Sequence, residues 1–137
     1  MKAKLILAAA ATGHPDGTIS MLRAGITHVW GDKPPIPLKA TLVVRIESEL
    51  SDMGNHDFDI KCMDEDGQQA LPPLKGQFAV PQGGGVNNLI LGLAVAFQKH
   101  GRYVFFVRVD NVELDSWTIT VGSRPPKKEQ EHERESD

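Results

Sequence analysis

The sequence contains one cysteine, Cys62, few aromatic residues (6%), no apolar run long enough to cross a bilayer, and no surplus of basic charge. Each scarcity excludes something. A single cysteine rules out an intrachain disulfide and any Cys-rich zinc motif, and it fits a reducing compartment. A membrane helix needs about 20 consecutive apolar residues, so no membrane span is expected. With 15 basic against 18 acidic residues and a net charge of −3, the chain lacks the basic face by which duplex nucleic acid is bound through its phosphates. What remains, 137 residues that are 40% hydrophobic and 24% charged, is enough for one ordinary core without metal or disulfide support.

Residues 1–12 carry Lys2 and Lys4 ahead of an alanine-rich apolar stretch, which is the outline of a secretory signal. Lys4 interrupts that stretch and leaves it short, so the preferred reading is a strand that opens the fold and turns at His14-Pro15-Asp16-Gly17 into a second strand over residues 18–30. The turn has a mechanism: proline presets φ, aspartate bonds to the nearby backbone and glycine accepts positive φ. A cytoplasmic location follows from the strand reading, and a secreted one from the signal reading.

Alternation of apolar and polar residues then dominates. Leu42, Val44 and Ile46 fall on one face of a strand, with Thr41, Arg45 and Glu47 on the other. Phe58, Ile60 and Cys62 alternate with Asp57, Asp59 and Lys61, which makes Cys62 a core residue. Residues 68–80 hold two prolines and read as an edge strand or irregular crossing. After a flexible Gly83-Gly84-Gly85 loop, residues 89–97 mix helix-favouring Leu and Ala with a strand-like alternation. Gly92 and the extended neighbours favour a strand. Tyr103, Phe105, Val107 and Val109 alternate with Arg102, Val104, Phe106 and Arg108 before Asp110-Asn111, a pair able to form a tight hairpin turn. Trp117, Ile119 and Val121 complete the pattern.

Seven or eight strands with no clear helix predict an all-β fold, a two-sheet antiparallel β-sandwich over residues 1–122, with a closed barrel as the alternative. Residues 31–37, with three prolines, read as a rigid crossing between sheets. Residues 123–137 read as a disordered tail: from Lys127 onward they hold three basic and five acidic residues and nothing apolar to bury.

The N-terminal hairpin, the Leu-Val-Val-Arg-Ile strand at 42–46, the Met-Asp-Glu-Asp-Gly turn at 63–67 and Gly101-Arg102-Tyr103 leading into Phe-Val-Arg-Val-Asp resemble a family of short bacterial all-β proteins of unknown function. The resemblance runs from Leu5 to Val121. It implies a bacterial or phage origin and supports the sandwich, but its motifs are those of strands and turns and carry no functional residue. At the level of fold alone, the pattern also looks like immunoglobulin-like and C2-like sandwiches.

Chemical motifs are sparse. Asp64, Asp66 and Gly67 start like a calcium loop, but the remaining ligands of an EF-hand are missing. In a C2-like arrangement Asp57, Asp59, Asp64, Asp66 and Asp110 would converge on calcium at one end of the fold. His14, His28, His56 and His100 have no zinc-ligand spacing. No serine lies in a G-x-S-x-G elbow, and the three glycines lack the Lys-Ser/Thr of a phosphate-binding loop. Val104 and Phe106 stand out, an apolar pair on the outer face of a strand flanked by Arg102 and Arg108, a composition suited to contact surfaces. The alternative is that this strand is buried on both sides or covered by residues 89–97. The expectation is a non-enzymatic protein-binding or assembly module that needs no cofactor, a subunit of a larger bacterial or phage complex or a homo-oligomer. The alternative is a calcium-dependent C2-like binding domain.

Overall fold

The computed structural model describes residues 1–124, and the tail expectation therefore lies almost wholly outside the described residues. The described chain is all-β, with ten strands: β1 (Lys2–Ala8), β2 (Ala10–Gly13), β3 (Ile19–Leu22), β4 (His28–Trp30), β5 (Ile36–Ser48), β6 (Gly54–Asp64), β7 (Gln69–Val80), β8 (Gly85–Phe97), β9 (Gly101–Val109) and β10 (Val112–Gly122). A single 3-10 turn, Leu50–Asp52, joins β5 to β6.

The strands form three sheets, in the orders β1-β5-β8, β4-β10-β9-β6-β7 and β2-β3. This corrects the two-sheet sandwich of seven or eight strands. The five-stranded sheet curls into a half-barrel. Register breaks between Ile60 and Cys62 on β6 and between Glu113 and Asp115 on β10 accompany this curl, as bulges bend a strand and increase its twist. Two expected strands also split. Residues 1–12 divide at Ala9 into β1 and β2, and residues 18–30 divide into β3 and β4 where Arg23 and Gly25 adopt positive φ (50° and 92°). Nor does the structure close as a barrel, because β7 and β8 end their sheets without pairing to each other.

The expected turn at His14 to Gly17 joins β2 to β3: Gly17 N donates to His14 O, and the Asp16 carboxylate accepts from both the Thr18 amide and its hydroxyl. This small hairpin lies over the outer side of the three-stranded sheet, where Gly17 O accepts from Arg45 Nη1 (3.0 Å) and Asn88 Nδ2 (3.0 Å). Residues 31–37 do cross from β4 in one sheet to β5 in the other, and their last two residues already belong to β5. Residues 89–97 are extended, paired along their length with residues 36–44 of β5.

The core lies between the three-stranded sheet and the inner face of the half-barrel. Leu5, Leu7, Leu42, Val44, Ile46, Leu93 and Phe97 meet Phe58, Ile60, Cys62, Tyr103, Phe105, Val107 and Ile119 there. Each such aliphatic side chain contributes about 1.5 to 3 kcal/mol through burial. Phe97 and Tyr103 pack ring to ring at 4.6 Å between centroids, and the Tyr103 hydroxyl donates to Lys99 O (2.7 Å). One side of the layered structure is sealed where β1 meets β10: Leu5 N donates to Asp115 Oδ2 (2.7 Å), and nearby Trp117 Nε1 donates to Ile26 O (2.7 Å). The opposite side, between β7 and β8, stays open as a groove of about 540 Å³.

Candidate protein-interaction face

Strand alternation sorts β9 into two sets of residues. Tyr103, Phe105, Val107 and Val109 are buried, whereas Val104, Phe106 and Arg108 are half-buried and Arg102 is exposed, all on the outer side of the half-barrel. Because β9 is the central strand, its outer residues have cross-strand neighbours on both sides. Phe106 lies opposite Lys61 of β6 and Ser116 of β10, and Val104 lies opposite Met63 and Thr118. Residues directly opposite in an antiparallel pair share a face, so Phe106, Val104 and Met63 form one apolar strip rimmed by Lys61, Ser116 and Thr118. Residues 89–97 do not cover this strip, because β8 belongs to the other sheet and sends Leu93 and Phe97 into the inner core.

Arg102 and Arg108 differ in their surroundings. Arg102 is exposed opposite Thr120, and no hydrogen bond or ion pair holds it among the described residues. Arg108 makes a bidentate pair with Asp59, Nε to Oδ1 at 2.9 Å and Nη2 to Oδ2 at 2.6 Å. That guanidinium holds the Asp59 carboxyl below its ordinary value, and Asp59 in turn raises Arg108. The pair forms the floor of an outer cleft of about 570 Å³ also lined by Asp57, Lys75, Gln77, Asp110 and Asn111. Gln77 Nε2 donates to Asp57 Oδ1 (2.7 Å), so most charges of this cleft are satisfied from within.

The five aspartates named as candidate calcium ligands fall into two separate groups. Asp57, Asp59 and Asp110 sit at one end of the β6–β9 pair, and Asp64 and Asp66 at the other, where Asp64 faces Tyr103. Asp57 and Asp64 are seven steps apart along the extended chain, about 23 Å. Asp64 Oδ1 accepts from the amides of Asp66 (3.0 Å) and Gln68 (2.9 Å), and Lys99 reaches the carboxylates of Asp64 (3.3 Å) and Asp66 (3.0 Å). Those bonds, the Gln68 amide foremost, hold the Asp64 carboxyl below its ordinary value. The Asp64 carboxylate thus binds its own turn, and Lys99 ties both carboxylates to the β8–β9 connection.

Sequence reasoning treated His56 as a surface histidine and missed its role. Its Nδ1 lies 2.5 Å from Asp110 Oδ2 and its Nε2 2.5 Å from Asp52 O, so both ring nitrogens face acceptors. Only the imidazolium can donate at both. The Asp110 carboxylate first, and then the Asp52 carbonyl, raise the His56 pKa, while His56 lowers that of Asp110. The ring also stacks on Phe78 at 5.6 Å and so ties the β5–β6 connection to the β9–β10 turn. No sequence spacing announces a contact across 54 residues.

Among the described residues the other histidines also have partners: His14 the Ser20 hydroxyl (2.7 Å), His28 the Thr27 hydroxyl (3.1 Å) and the Trp30 ring, and His100 the distant Gly31 O, to which it donates (2.8 Å). Cys62 is buried as expected, and desolvation pushes its thiol up to about 12, so it stays protonated and unreactive.

A search of curated proteins finds no match. A family model described as "Family of unknown function (DUF6941)" matches residues 4–122, nearly the whole of the described chain, and the protein belongs to that family.

Proposed function

We propose that the protein is a non-enzymatic binding or assembly module that engages a protein partner through the outer face of the half-barrel, in keeping with a subunit of a larger complex. The observation that carries this reading is the half-buried strip of Phe106, Val104 and Met63 on the outer face of the half-barrel, beside the exposed Ser116 and Thr118. Aromatic and arginine side chains at the centre of a polar-rimmed face are the composition from which interface anchors are drawn, and Arg102 supplies an exposed cation beside them.

The titratable groups favour a binding role over a catalytic one. Cys62 is a buried neutral thiol, and both ring nitrogens of His56 are already engaged, by the Asp110 carboxylate and the Asp52 carbonyl. The test compares partners recovered by the wild-type protein and by Phe106→Ala from the native cell, with the variant's fold checked by circular dichroism. A partner retained equally by both proteins would refute the reading; one lost selectively with Phe106→Ala, by a factor of about 5 or more, is the expected result.

A further inference from the structure

The sheet edges of this protein are unequal. An edge strand presents unpaired amides and carbonyls, and natural proteins blunt such edges by shortness, proline, charge or a covering element. Strand β4 has only three residues, and β2 and β3 have four each. Strand β1 carries Lys2 and Lys4, and its Leu5 amide is capped by the Asp115 carboxylate. Strand β7 contains Pro72, Pro73 and Lys75. Strand β8 has none of these devices: its 13 residues, GVNNLILGLAVAF, include no charge and no proline.

Strand β8 is also physically open along its second half. Near its start it is tied to β7, Asn87 Nδ2 donating to Ala79 O (3.0 Å), but the two strands then diverge around the groove of about 540 Å³. The groove is walled by Ala70, Leu71 and Leu74 on one side and by Gly92, Ala94 and Ala96 on the other, with no charged residue in its lining. Small side chains there keep the β8 backbone accessible, and a Cβ placed at Gly92 would meet nothing within 4 Å. A long, uncharged, proline-free free edge beside an apolar groove is suited to a strand, which supplies both the backbone hydrogen bonds and the alternating side chains.

We propose that this strand is β8 of a second copy of the chain, paired antiparallel about a two-fold axis normal to the sheet. The edge is self-complementary: it carries no charge to repel its own image, and an isologous contact needs only one patch. The three-stranded sheets of two protomers then join as one six-stranded sheet in the order β1-β5-β8-β8-β5-β1, and the two open grooves face a shared interior. The Phe106 face stays free in such a dimer.

The test is sedimentation of the full chain over a concentration series, with Ala94→Lys, Ala94→Ser and Phe106→Ala alongside. Ala94 is exposed at the open edge, so a lysine there places like charges near the two-fold axis without entering the monomer core. The expected result is a wild-type dimer that Ala94→Lys weakens at least about tenfold and that Ala94→Ser and Phe106→Ala preserve. Hydrogen exchange on the wild type gives a readout independent of any variant: amides in residues 89–97 lose protection on dilution. A monomer at all concentrations, a dimer insensitive to Ala94→Lys, or exchange in residues 89–97 that ignores dilution would each overturn the proposal. Loss of the dimer with Phe106→Ala in place of Ala94→Lys would move the contact to the outer face.

Discussion

Phe105 and Phe106 are chemically identical neighbours on opposite faces of one strand, so truncating each in turn measures the two sides of the half-barrel separately. Phe105 is 1% exposed and packed within the central core. Phe105→Ala removes that burial and leaves a cavity that the surrounding sheets fill only in part, a loss of about 3 to 5 kcal/mol. Phe106 is half-buried, covered only by neighbours on its own sheet, and open to solvent on the remaining side. Full burial of such a ring is worth about 1.5 to 3 kcal/mol, and here part of it is realised with no enclosed cavity left behind, so Phe106→Ala costs about 1 to 2 kcal/mol. Urea denaturation of the two variants, at a protein concentration below any self-association, gives both values by linear extrapolation. Equal losses at the two positions would refute the inward and outward assignment of β9 and, with it, the outer-face reading.

Gly76 has no room for a side chain, since an added Cβ would lie 2.7 Å from Cε1 and Cζ of Phe58; Gly76→Ala should cost about 1 to 3 kcal/mol in the same assay, and a neutral result would show that the ring moves freely. The His56–Asp110 contact predicts a window of pH. The raised His56 contributes stability that is fully present below 6.5 and lost as pH rises through its folded value, and the lowered Asp110 contributes stability present above 3.8 and lost as pH falls through its own. The gap in melting midpoint between wild type and His56→Gln should therefore be widest between those values and narrow on both sides, and a gap independent of pH would contradict the imidazolium assignment. With the acidic side chains divided between two ends and engaged by Arg108, His56, Gln77 and Lys99, calcium should leave the melting midpoint where chelator leaves it; a calcium-dependent rise would revive a loop-binding site.

Much of the fold was legible because strand alternation is a local property. Successive side chains on an extended chain point to opposite faces whatever lies beyond, so Leu42, Val44 and Ile46, Phe58, Ile60 and Cys62, and the inner set of β9 could be read from spacing alone. Turn chemistry is equally local, and Asp110 and Asn111 take the positive φ values, 49° and 66°, that their pairing predicted. Residues 89–97 mark the boundary of this legibility. Their leucines and alanines suit a helix, and pairing with β5 over the whole length of β8 overrides that weak preference.

What the sequence by itself determined was thus the class of the fold, the direction of most side chains and the position of its tight turns. Which strands became neighbours was a tertiary decision, since pairing depends on long-range backbone hydrogen bonds that no short stretch of residues encodes. That decision divided the five aspartates between two ends, brought His56 to Asp110, left the Phe106 strip on the outer face and curled one sheet through its bulges. It also left β7 and β8 apart, so that an uncharged stretch with the composition of an inner strand became a free edge.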